Sequence, residues 1–227
     1  MRGLKDTLKL LPGVLTASSM FCGFAGLWLV VAKKYLLAAS LVIVAILFDS
    51  LDGKVARFLK ASSEFGKEFD SISDVVAFGA LPALLLSVMA PSSMSLAAGF
   101  VYLLGGAIRL ARFNLLPTKK SFSGLPIPAA ASNVAIFSLM VANHSLVGKV
   151  NAWFVMVLGI LMFWLMTSNI EYPAFKGRWN YAIWLLIALV GVLLIFKMYE
   201  ALFAVSMTYV LSGPALALKR AILKRTN

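Results

Sequence analysis

Long apolar runs separated by short polar breaks fill nearly the whole chain. They lie at about Leu11–Ala32, Tyr35–Leu59, Lys67–Pro91, Met94–Leu115, Pro126–Asn143, Asn151–Ser168, Tyr181–Phe196 and Tyr199–Leu218. A helix crosses a hydrocarbon core with about 20 apolar residues, so the pattern predicts an all-α integral membrane protein of about eight spans. No polar tract, low-complexity segment or internal repeat divides the chain, which predicts one domain over 1–227. Ahead of the first run, Leu4, Leu8 and Leu11 share a helical face while Arg2, Lys5 and Lys9 lie elsewhere, as in a short amphipathic helix on the membrane surface. Pro12 opens the first span. Its small residues Gly13, Ala17, Ser18, Ser19, Gly23 and Gly26 predict close helix packing.

One stretch breaks the apolar rule. Phe48–Gly79 holds six of the nine acidic residues: Asp49, Asp52, Glu64, Glu68, Asp70 and Asp74. Asp49 and Asp52 are three apart and Asp70 and Asp74 four apart, so each pair shares one face of its helix. The link near Ser62–Gly66 is short, and two helices meeting across it would aim four carboxylates at one point near one membrane face. Hard divalent cations, Mg2+, Mn2+ or Ca2+, take such oxygen ligands. A carboxylate at mid-membrane costs about 2.5–3.5 kcal/mol on insertion scales, so the cluster requires compensation. Pairing with Lys54, Arg57, Lys60 and Lys67 would supply it without a metal, and a cation or proton pathway would also use acids. A pathway, however, needs acids along the membrane depth, and here they are bunched. Gly53 and Ala56 leave a smooth patch beside Asp52 where a flat base or ribose can approach the backbone, Gly66 opens the next turn, and Arg57 can meet a phosphate bidentately.

Composition narrows the class. Hydrophobic residues make up 61% of the chain and charged residues 13%, about half the share of a soluble domain. The net charge of +12 fits cytoplasmic loops against anionic headgroups rather than nucleic acid. With eight spans, most Lys and Arg fall on the side of the termini and the acidic stretch, while Lys33, Lys34, Lys149 and Lys197 face the other way. Both termini and the acidic cluster are therefore expected on the cytoplasmic side of a multi-pass cell (plasma or inner) membrane protein. A lone Cys22 excludes an intrachain disulfide and a thiolate cluster. The single His144 has no neighbouring ligands in sequence and is not expected to bind metal. No cleavable signal peptide is expected, since no clear small-residue cleavage site follows the first apolar segment.

The acidic stretch resembles the signature of the CDP-alcohol phosphotransferase family, Asp-x2-Asp-Gly-x2-Ala-Arg-x8-Gly-x3-Asp-x3-Asp. Asp49, Asp52, Gly53, Ala56, Arg57, Gly66, Asp70 and Asp74 meet all eight fixed positions over 26 residues. The resemblance implies two divalent metals, Mg2+ or Mn2+ with Ca2+ as a non-productive occupant, held against the diphosphate of a CDP-linked lipid. It implies Asp49, Asp52 and Asp70 as metal ligands, and Asp74 as ligand and as the base that activates the acceptor alcohol. Asp52, Gly53, Ala56, Arg57 and Gly66 are implied to meet the nucleotide and diphosphate. A homodimer is implied as well.

Further segments resemble one branch of that family, the membrane-embedded phosphatidylserine synthases. They are SEFGKEFDSISDVVAFG at Ser63–Gly79, RLARFN at Arg109–Asn114, SGLPIPAAA at Ser123–Ala131, and the opening LPGVLTASSMFCGF. In the opening, Thr16 matches, while Gly13 and Ser19 stand where that branch usually has asparagine. The resemblance covers about 11–176, the implied catalytic core. It implies transfer of a phosphatidyl group from CDP-diacylglycerol, or an ether-lipid equivalent, to the hydroxyl of L-serine, with release of CMP. Arg109 and Arg112, three apart near the end of span four, are expected to offer a guanidinium to the serine carboxylate. Lys119 and Lys120 are expected to meet lipid headgroups or diphosphate. Glycerol 3-phosphate and inositol or its phosphate are the competing acceptors, and a transporter the competing class.

Overall fold

The computed structural model describes residues 10–61, 63–90, 92–115, 124–170, 172, 196 and 198–225. These form helices α1 (Leu11–Val31), α2 (Tyr35–Phe58), α3 (Glu64–Asp74), α4 (Leu81–Met89), α5 (Ser93–Leu115), α6 (Ile127–Asn143), α7 (Ala152–Thr167) and α8 (Tyr199–Arg225). A six-residue π-helical segment, Val75–Ala80, joins α3 to α4 without a break. There is no strand among the described residues. Five stretches are long and apolar enough to cross a membrane: Leu11–Val31, Tyr35–Phe58, Glu64–Met89, Ser93–Leu115 and Tyr199–Leu218. α6 and α7 are apolar but shorter. The chain is an all-helical, multi-pass membrane protein. The expected amphipathic helix at the start falls almost wholly outside the described residues, as does the seventh span at about Tyr181–Phe196.

Local sequence chemistry sets the helix ends. Pro12 stands in the first turn of α1, where a missing N–H costs nothing. Ser63 caps α3, its hydroxyl accepting from the Gly66 N–H at 3.0 Å. Asn151 caps α7 in the same way, accepting from the Trp153 N–H at 2.9 Å.

The continuous helical stretch from α3 through the π segment to α4 is the centre of the bundle. In its apolar window 56% of residues are buried, against 17–39% for the other four long helices. Phe78, Leu81, Leu85, Leu86 and Met89 on this stretch are completely buried. α1 lies against α2, α3 and the π segment; α5 lies against α4 and α7; α6 lies against α2 and α8. One face of α1, Thr16, Ser19, Cys22, Gly23, Gly26 and Val30, is buried. Gly23 is needed there, since a Cβ would stand 2.6 Å from the Ala77 Cα of the π segment. Of the small residues expected to pack, Ser19, Gly23 and Gly26 do so, whereas Gly13 and Ala17 are exposed. Ser19 also donates to the Ala45 carbonyl of α2 at 3.2 Å, so it makes a polar contact of its own.

The π segment has a chemical cause that the sequence contains. Pro82 lacks the N–H that an α-helix would aim at the Phe78 carbonyl four residues earlier. The Tyr102 hydroxyl, fully buried on α5, donates to that carbonyl at 2.8 Å. A buried carbonyl is thus satisfied from a neighbouring helix. Removing the donor with Tyr102→Phe should destabilise the protein by about 1–3 kcal/mol, the cost of stranding a buried acceptor. Thermal unfolding in detergent reads it: a lowered midpoint is expected, and an unchanged one would show that the bond carries no weight.

Candidate active site

α2 carries Asp49 and Asp52 and α3 carries Asp70 and Asp74, and three of these four acids converge. Carboxylate oxygens of Asp49, Asp70 and Asp74 all lie within 4.8 Å of one another. Asp74 is buried; Asp49 and Asp70 are half-buried. Asp52, one turn along α2 from Asp49, stands outside that trio. It is buried, and its Oδ2 accepts a 2.6 Å hydrogen bond from the Thr16 hydroxyl of α1. Ser73, next to Asp74, donates to the Thr16 carbonyl at 3.0 Å.

Among the described residues none of the four aspartates forms an ion pair with Lys or Arg, so pairing with Lys54, Arg57, Lys60 and Lys67 does not compensate them. At 4.8 Å, two carboxylates repel by about 3.5 kcal/mol at an effective dielectric of about 20. The Asp70 Oδ1 is buried and has no hydrogen-bond partner among the described residues. Three convergent oxygens with one unsatisfied atom fit a hard divalent cation, which prefers carboxylate ligands.

A cavity of about 310 Å³ adjoins the cluster. Asp52, Gly53, Ala56, Arg57, Gly66 and Asp70 line it, the first five being those the resemblance assigns to nucleotide and diphosphate. A Cβ on Gly53 would meet nothing nearer than the Arg57 Nη1 at 3.8 Å, so the patch is open as well as smooth. The cavity also has a wall that the acidic stretch alone did not indicate: Pro12, Gly13 and Thr16 from α1, and Lys67 from α3. Lys67 was readable only as a counter-charge; its ammonium also lies 5.8 Å from the Phe113 ring centre.

The two arginines part company. Arg109 is half-buried and lies near Asp74 and near Tyr209 of α8. Its Nε is buried and has no hydrogen-bond partner among the described residues. Arg112 is exposed, and its Nη1 donates to the Thr167 carbonyl at the end of α7, 2.9 Å away. The two side chains therefore do not lean together toward the aspartates. In the same RLARFN segment Asn114 donates to Ser71 at 3.1 Å and to Glu68 at 3.2 Å, tying α5 to α3. Lys119 and Lys120 lie outside the described residues. His144 pairs with Glu200, joining the end of α6 to the start of α8.

The family profile described as CDP-alcohol phosphatidyltransferase matches residues 9–165. The chain belongs to the CDP-alcohol phosphatidyltransferase family. A CDP-diacylglycerol–serine O-phosphatidyltransferase of Helicobacter pylori is 37% identical over 219 residues, covering 92% of this chain and 91% of the relative. One from Methanocaldococcus jannaschii is 42% identical over 156 residues, 67% of this chain and 73% of the relative. An archaetidylserine synthase of Methanothermobacter thermautotrophicus is 37% identical over 172 residues, 74% of this chain and 71% of the relative. The family match ends at residue 165, so α8, with Tyr209 beside Arg109, lies beyond it.

Three crowded carboxylates with no Lys or Arg ion-paired to them among the described residues set an expectation for stability. A cation that binds only the folded state stabilises it by about 2.7 kcal/mol at one hundred times its Kd. Mg2+ or Mn2+ should therefore raise the unfolding midpoint by several degrees over EDTA. Asp70→Asn, which removes one charge, should melt higher than wild type in EDTA and lose most of the metal-dependent rise. A wild-type midpoint indifferent to either ion would contradict this reading of the cluster.

Proposed function

We propose that this protein transfers the phosphatidyl group of CDP-diacylglycerol, or of its ether-linked counterpart, to the hydroxyl of L-serine and releases CMP. The observation that carries the reading is the similarity over nearly all of the chain to relatives named as serine O-phosphatidyltransferases: 92% of this chain aligns with 91% of one of them. The names of the relatives agree on serine and differ in the lipid. The cavity beside the aspartates supports a nucleotide subsite, because its glycine patch, Arg57 and Lys67 suit a ribose and a diphosphate.

In this reading Asp49, Asp70 and Asp74 hold divalent metal, with Asp52 completing the set at the cavity wall. When bound, two such ions neutralise charge on the diphosphate and on the departing CMP. Asp74, the most enclosed of the trio, takes the proton from the serine hydroxyl as that oxygen attacks the lipid-linked phosphorus. The new P–O bond forms as the bond to the CMP oxygen breaks. A general base contributes about 10²–10⁴-fold in rate, which sets the loss expected for Asp74→Asn. Arg109 holds the serine carboxylate: it lies next to Asp74 and has an uncommitted buried N–H. Arg112 fastens α5 to the end of α7 instead. α6, α7 and the expected span at about Tyr181–Phe196 bring the five long spans to eight, with both termini and the active site on the cytoplasmic side, as the distribution of Lys and Arg favours.

CMP release from CDP-diacylglycerol tests the reading when serine, glycerol 3-phosphate and inositol are supplied in parallel. Serine alone should support turnover, and in sealed vesicles only when added on the cytoplasmic face. Arg109→Lys should raise the serine KM at least tenfold and leave the KM for CDP-lipid nearly unchanged, while Arg112→Lys should alter neither much. Turnover with glycerol 3-phosphate in place of serine, or none with any acceptor, would contradict the assignment.

A further inference from the structure

Asp52 shares a helix face with Asp49 but does not join the trio, and what fixes it is a residue of another helix. Its Oδ2 accepts from the Thr16 hydroxyl at 2.6 Å, and both residues are almost sealed from solvent, at 6% and 5% exposure. The same hydroxyl lies 3.0 Å from the Pro12 carbonyl one turn earlier on α1. A hydroxyl has one proton, so the two acceptors compete, and the shorter contact to a carboxylate is the stronger. The Thr16 carbonyl accepts from Ser73, a buried residue adjacent to Asp74, at 3.0 Å. One residue of α1 thus touches both acid-bearing helices, with its side chain on α2 and its main chain on α3.

We propose that Thr16 is a positioning residue: its hydroxyl orients the Asp52 carboxylate, and its contact with Ser73 sets the distance from that carboxylate to Asp49, Asp70 and Asp74. α1 then sets the spacing between Asp52 and the acidic trio. The inference rests on the proposed metal site but not on the identity of the alcohol. Valine has nearly the shape of threonine and no hydroxyl, so packing alone would tolerate Thr16→Val. Serine keeps the hydroxyl and loses only a methyl group.

Mn2+ binding to the full-length protein in detergent, read by electron paramagnetic resonance, gives a measure independent of turnover. Thr16→Val should weaken Mn2+ binding and raise the KM for CDP-diacylglycerol, each about tenfold or more, while the serine KM stays within twofold. Thr16→Ser should stay within twofold of wild type on both measures. In an Asp52→Asn background, Thr16→Val should add little, because the acceptor charge is already gone. Should Thr16→Val fail to accumulate, Ser73→Ala tests the main-chain arm, with a weakened Mn2+ affinity expected and an unchanged one contrary to the proposal. Unchanged Mn2+ binding in Thr16→Val, equal impairment in Thr16→Ser, or a shift in unfolding midpoint alone would overturn it. Loss of serine preference with the Mn2+ pattern intact would overturn the proposed function and leave the role of Thr16 standing. A wild-type protein that binds no Mn2+ would overturn both.

Discussion

Three carboxylates within 4.8 Å of one another, at the edge of an apolar bundle and without a cationic side chain paired to them among the described residues, define the central problem of this fold. Their mutual repulsion and their desolvation both oppose the arrangement. A bundle that tolerates this needs rigid walls, and the walls are visible. α3 is capped by Ser63 and held sideways by Asn114. Its continuation is the most buried of the candidate spans, with the Phe78 carbonyl clamped by Tyr102. Asp70 and Asp74 sit on this well-packed element and Asp49 faces them from α2, so a cation meets preformed ligands.

Small residues convert that rigidity into approach. Gly23 brings α1 onto the π segment, and Gly99 of α5 lies where a Cβ would stand 2.4 Å from the Ala83 carbonyl of α4. With α1 held this close, Thr16 reaches Asp52 and the opening turn of α1 closes one side of the cavity. Lipid tails cannot drive helices together by a hydrophobic effect of their own, so close backbone contact and interhelical hydrogen bonds carry the association. The catalytic spacing therefore depends on packing several turns away from it.

The acidic motif was legible because its residue types and spacing state the chemistry directly: Asp49 with Asp52 and Asp70 with Asp74 each share a helix face, and a short link forces the faces together. The all-helical membrane class was legible from run length. Thr16 was legible only as a match in the opening segment, because hydropathy says nothing of which carboxylate a hydroxyl will meet from 36 positions away. Arg109 and Arg112 were indistinguishable by spacing; their separation arises from the end of α7, whose Thr167 carbonyl takes Arg112. The π segment could have been suspected from Pro82 within an otherwise continuous apolar helix, but its partner Tyr102 is set by tertiary packing. Tyr209 was hidden for the same reason, since α8 carries no motif and reaches Arg109 only in the folded bundle.

The central claim is that the Asp49–Asp70–Asp74 cluster exists to hold a divalent cation. Crystals grown with Mn2+ and measured at its absorption edge test it most directly. The account predicts an anomalous peak coordinated by oxygens of Asp49, Asp70 and Asp74. No peak there, with the three carboxylates instead turned onto Lys67 or Arg57, would contradict it.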